Sequence, residues 1–137
     1  MTIAADYTDI LQYLVRFWRA MDRADYEEVL RGLTTDARWR RDRWREGHAD
    51  ILEALQQRNA LLVSSHSVTN LVIEPNGDGC DCRYSLIIFG HNRATAGEPP
   101  PYATSGPRMG DWQSRLVKQN GAWLASEITA QLLFERR

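Results

Sequence analysis

The chain is short of cysteine, of long apolar runs and of net charge, and each shortage closes off a class of protein. Cys80 and Cys82 are its only two cysteines. Two residues apart on a predicted strand, they share one face, a poor geometry for bonding to each other. No further cysteine or histidine nearby completes a four-ligand zinc set, so free thiols and no metal are the expectation. No apolar stretch approaches the roughly twenty residues of a membrane span, and the first seven residues lack the basic start and apolar core of a signal peptide; a cytoplasmic chain with no membrane partner follows. Seventeen Lys and Arg against 18 Asp and Glu leave a formal net charge of −1, too weak a field to hold nucleic acid. The run Ala37-Arg38-Trp39-Arg40-Arg41-Asp42-Arg43 does not alter this, because Asp42 and Glu46 interleave with its arginines and it reads as the solvated face of a strand. One arginine turned inward has the charge to hold an anionic substrate, but nothing in the run selects it. The glycines fall at turns and not between a strand and a helix, so no phosphate loop, dinucleotide fingerprint or nucleophile elbow competes, and no cofactor is expected.

What is present fits one domain over residues 1–137, 43% hydrophobic and long enough to build its own core. Ile10, Leu11, Leu14, Val15, Phe17, Trp18 and Met21 recur at helical spacing and predict a helix over residues 7–21. Asp25, with Glu28 three residues on, predicts a capping box opening a second helix that ends near Gly32. Residues 37–43 read as a strand, and a third helix follows Gly47 through Ile51, Leu52, Leu55, Leu61 and Leu62. Then come four strands over residues 66–74, 80–91, 109–119 and 122–134, joined in pairs by Asn76-Gly77 and Asn120-Gly121. Between the pairs, residues 92–107, with Pro99-Pro100-Pro101, read as a flap or a partner contact. Helices first and long strands after is the order of an α+β fold whose curved antiparallel sheet wraps around its helices.

Chemistry gathers on the first long strand. His66, Val68, Asn70 and Val72 alternate onto one face, placing an imidazole and an amide among apolar neighbours, as in a pocket. On the strand alone, a functional and a structurally satisfied histidine are equally good readings. Asn70 either binds a substrate oxygen or ties down the strand. His48, opening the third helix, is expected to face solvent.

Met21-Asp22-Arg23-Ala24-Asp25-Tyr26, His66-Ser67-Val68-Thr69-Asn70, Gly110-Asp111-Trp112 and Asn120-Gly121-Ala122-Trp123, in this order of elements, resemble the SnoaL-like branch of the nuclear-transport-factor-2-like superfamily over nearly the whole chain. Within it the likeness is to scytalone dehydratase-like proteins and to the β subunits of aromatic-ring-hydroxylating dioxygenases. The resemblance implies a cone-shaped sheet, the cystatin-like α+β barrel, closed by helices around an apolar pocket. It implies catalytic roles for Asp22 and His66, with His91 as a second histidine. Met21 and Arg40 stand where scytalone dehydratase has pocket tyrosines, which argues against scytalone itself as substrate. Trp39, Trp112 and Ser114 stand with Asn70 as candidate substrate-binding residues.

Three functions remain. One is a cofactor-free lyase or isomerase in which His66 takes a proton from a small cyclic or apolar substrate, Asp22 orients the ring and His91 serves as acid. Another is a non-catalytic dioxygenase β subunit, supported by the residue 66–70 pattern and the ending at 128–137. The third is a ligand-binding or dimerisation module. A homo-oligomer, dimer or trimer, is expected through the convex face of the sheet, with Ile87, Phe89, Leu116 and Leu124 as candidates.

Overall fold

The computed structural model describes residues 3–102 and 106–135. Helix α1 (Ile3–Asp22) starts one turn earlier than its apolar stripe predicts. Ile10, Leu14, Phe17, Trp18 and Met21, spaced three or four apart, are buried along one side of it against the sheet. Helix α2 (Tyr26–Arg31) opens as predicted on Asp25, whose carboxylate accepts from the Glu28 amide at 3.2 Å, and closes on Gly32. The reciprocal half of the capping box does not form: the Asp25 amide donates to the Ala20 carbonyl, and the Glu28 carboxylate pairs with Arg31. Helix α3 (Gly47–Gln56) stops before Leu61 and Leu62, which the sequence pattern placed inside it. Asn59 breaks it by accepting from the Leu61 amide through its own side chain, and Leu62 already belongs to a strand.

Six strands form one sheet: β1 (Leu33–Arg40), β2 (Trp44–Glu46), β3 (Leu62–Asn76), β4 (Gly79–Asn92), β5 (Arg108–Gln119) and β6 (Ala122–Glu135). Their order is β2-β1-β6-β5-β4-β3. The strand predicted over 37–43 starts earlier, at Leu33, and ends at Arg40; residues 41–43 are the bend that folds β2 back onto it, Trp39 opposite Arg45. The sheet is antiparallel except where β1 runs parallel to β6, a pairing the sequence did not announce. Residues 128–135 are part of β6 and not an extension beyond it. At the β5–β6 turn both Asn120 and Gly121 take positive φ (52° and 80°), the geometry of a tight turn matched to the twist of its strands.

The core lies between the helices and the concave face of the sheet, which is curved and open, with β2 and β3 at its edges. Register shifts interrupt the described strands at four places, one each in the β1–β6 and β3–β4 pairs and two in β5–β6. Gly110 sits at one of them: a Cβ there would meet the Gln131 carbonyl at 2.5 Å and the Trp112 ring at 2.8 Å.

Candidate functional site

Asp22 is the last residue of α1, where Ala24 turns left-handed (φ 54°) and the chain leaves the helix axis. Ser64 and His66, two apart on β3, point to the same side and meet that carboxylate. One carboxylate oxygen accepts from Ser64 Oγ at 2.8 Å and lies 2.5 Å from His66 Nδ1; the other accepts from the His66 backbone amide at 3.0 Å. A carboxylate only accepts, so Nδ1 carries a proton, and in the neutral ring the lone pair is on Nε2. Nε2 has no hydrogen bond among the described residues and its ring lines a cavity of about 680 Å³. The ring is nevertheless well enclosed, its side chain 9% exposed and stacked on Trp18 with centroids 5.1 Å apart.

The floor of the cavity is apolar: Trp18, Met21, Trp39, Ile88, Trp112 and Leu132. Trp18 and Trp112 meet edge to face, as do Trp18 and Trp39, at centroid distances of 6.1 and 6.0 Å. Behind this floor the Trp18 indole donates to the Tyr84 hydroxyl at 3.2 Å, which lies 2.7 Å from Ser114 Oγ. Burial pushes the Tyr84 phenol far above its usual range, so it remains a neutral partner holding Trp18 in orientation. The rim is cationic, formed by Arg40, Arg41, Arg58 and Arg108 with one carboxylate, Asp42. Arg58 reaches the Met21 carbonyl at 2.9 Å and Ser64 Oγ at 3.3 Å, linking the rim to the Asp22–His66 pair.

Of the residues read from sequence, Asp22, His66, Trp39 and Trp112 come together here. The other residues singled out from the sequence lie elsewhere, for identifiable reasons. Asn70 is exposed at a bulge, with φ 54° and a register shift between Thr69 and Val72. The bulge reverses the alternation: Val72 is 54% exposed and Ile73 takes the inward place. Ser114 faces inward, but its hydroxyl is engaged with Tyr84 beneath the floor. His91 lies on the other face of β4, because the register pairs His66 with Ile88 and His91 with Val63. There it stacks on Tyr102 and contacts Glu98 of the 92–107 segment, of which residues 103–105 lie outside the described residues. His48 is partly buried, with Nε2 3.2 Å from the Leu33 carbonyl, and does not face open solvent. Leu116, expected on the convex face, is fully buried in the core. Nor are the arginines all solvated, since Arg41 is partly buried at the cavity.

Sequence reading missed Trp18, Ser64, Tyr84, Arg41 and Arg58. Two of these carried a signal. Trp18 precedes Asp22 by one helical turn and so shares its face, and Ser64 precedes His66 by two on a strand.

A SnoaL-like domain model matches residues 2–129. No functionally curated protein matches the chain significantly. Among solved structures, a candidate scytalone dehydratase from Novosphingobium aromaticivorans is 14% identical with a TM-score of 0.80, covering 96% of this chain and 86% of that one. A candidate aromatic ring hydroxylase from the same organism is 20% identical with a TM-score of 0.78, over 98% and 94% of the two chains. A protein from Catenulispora acidiphila is 19% identical with a TM-score of 0.78, over 94% and 92%. At these identities the likeness is one of fold.

Proposed function

The chain belongs to the SnoaL-like domain family, and from that premise we propose that it is a cofactor-free enzyme of the dehydratase or isomerase type, moving a proton on a small cyclic substrate. The observation that carries this reading is a histidine held through Nδ1 by Asp22 at the wall of an aromatic-floored cavity. A general base needs its lone pair free for the substrate and its other side fixed, and a ring held by Asp22, with Nε2 unbonded among the described residues, supports that role. In the proposed step Nε2 takes a proton from a carbon next to a carbonyl or leaving group, and the Asp22 carboxylate balances the charge the ring acquires. The imidazolium then returns that proton, to a departing hydroxyl that leaves as water in a dehydration or to a second carbon in an isomerisation. His91, on the far face of β4, takes no part.

The test is turnover of cyclic ketones and β-hydroxy ketones by the wild type and His66→Ala, with unfolding followed in parallel. Loss of a positioned base lowers the rate by about 10²- to 10⁴-fold in a protein that still folds. Full activity in His66→Ala overturns the mechanism. Absence of turnover, together with co-purification of an oxygenase catalytic subunit, would identify instead the non-catalytic role of a dioxygenase β subunit.

A further inference from the structure

The rim of the cavity holds more positive charge than its own carboxylates neutralise. Asp42 is the one acidic residue among the described lining residues, and its carboxylate is forked onto Arg45 at 2.9 and 3.0 Å. Arg41, partly buried, pairs with no carboxylate among the described residues; its guanidinium lies over the Trp39 ring, 5.0 Å from the centroid. Arg58 is held by a carbonyl and two hydroxyls, again with no carboxylate partner. Burial first, and then the charge of Arg58, hold the Arg41 guanidinium below the usual arginine range. Two cations brought close and partly desolvated, with the Asp42 carboxylate already engaged by Arg45, are costly to maintain, and an anion entering the cavity relieves that cost.

We propose that the cavity takes a substrate carrying a carboxylate, seated on Arg41 and drawn further by Arg58, with its ring against the tryptophan floor within reach of His66. This rests on the enzymatic reading above and names the substrate class for the same site. The aromatic floor favours an anion that carries a ring over a bare inorganic one. No glycine and no helix N-terminus lies among the described lining residues, so the backbone cradle that phosphate groups favour is not part of the wall. Planar guanidinium against planar carboxylate is the pairing these side chains are shaped for.

The experiment is calorimetric titration of the full chain with 2-naphthoate and with its neutral isostere 2-naphthamide, in the wild type, Arg41→Gln and His66→Ala. The wild type is expected to bind naphthoate at least about tenfold tighter than the amide, and Arg41→Gln to weaken naphthoate alone by about 10- to 100-fold. His66→Ala is expected to keep the preference for the carboxylate, because it removes the base and leaves the cations. Equal affinity for the two probes, binding of neither at millimolar concentration, or an unchanged preference in Arg41→Gln overturns the proposal. Since the readout is binding and not turnover, an inactive protein that prefers naphthoate refutes the enzymatic reading and not the anion site; an active one without the preference does the reverse.

Discussion

Asp22 uses both carboxylate oxygens on β3, accepting from Ser64 Oγ and from two nitrogens of His66. Replacing it by asparagine keeps the shape and removes the charge, and it sets an NH₂ group where an acceptor is required. Either the His66 amide or Nδ1–H then faces a donor, so the ring loses its fixed orientation along with its counter-charge. Asp22→Asn is expected to lower kcat by about 10²-fold or more with KM little changed, as steady-state kinetics will show. The double variant with His66→Ala is expected to be scarcely worse than His66→Ala alone, because the pair acts as one device; losses that multiply would assign Asp22 an independent role. The same pair shows what is legible in a chain of letters. Asp22 and His66 were found through family spacing, while Arg41 stood in plain view among four other arginines of residues 38–45, and Arg58 with no pattern around it. Burial and an absent partner single out Arg41, and neither quantity is written in the sequence.

At the scale of elements, the hairpins were readable because their turns carry their own chemistry: Asn-Gly at 120–121 takes the positive φ values that few other residues adopt cheaply. The β1–β6 parallel pair and the three-residue strand β2 were not, since both depend on contacts between distant segments and not on local pattern. Asn70 lies between these cases. Asparagine tolerates the left-handed conformation better than most residues, and in retrospect an asparagine between Thr69 and Leu71 was a bulge signal competing with a pocket signal. The two readings predict different variants. As a bulge residue, Asn70→Gly is expected to leave stability and KM near wild type, whereas Asn70→Val, β-branched at φ 54°, is expected to cost about 1–2 kcal/mol in denaturant unfolding. A raised KM in a fully stable Asn70→Gly would return Asn70 to the substrate site.

Two consequences belong to the whole molecule. Its ion network ties the β1–β2 hairpin to α3: Arg43 and Arg45 both reach Asp50, and Arg45 forks onto Asp42. The Arg43 hydrogen bond, then the Glu46 amide, hold the Asp50 carboxyl well below the usual carboxylate range, and Arg45 holds Asp42 at about 2. Folded values below the unfolded value of about 3.9 mean that this stabilisation is complete at neutral pH and is lost as pH falls from about 4 through about 2. The melting temperature is expected to drop across that window, and Asp50→Asn to lower it at pH 7 while flattening the drop; an Asp50→Asn profile parallel to wild type would deny the network its role.

Assembly follows from the face of the sheet that the helices leave uncovered. Cross-strand pairing sets Ile87 beside Met109 and Met109 beside Phe134, an apolar row across β4, β5 and β6, with Phe89 two residues further along β4. Phe89 and Phe134 are 42% and 66% exposed, while the polar Ser65 and Ser67 flank the row on β3. Scattered surface apolar residues need no partner, but aligned ones on a sheet face do, and a two-fold axis through such a row pairs it with its own copy. A dimer at micromolar concentration is therefore expected in sedimentation velocity, and Phe89→Arg is expected to yield monomers whose dyad and cavity, on the opposite face, still bind and turn over substrate. A wild-type monomer would show that this face stands open in solution, and loss of activity on dissociation would show that the cavity depends on its neighbour.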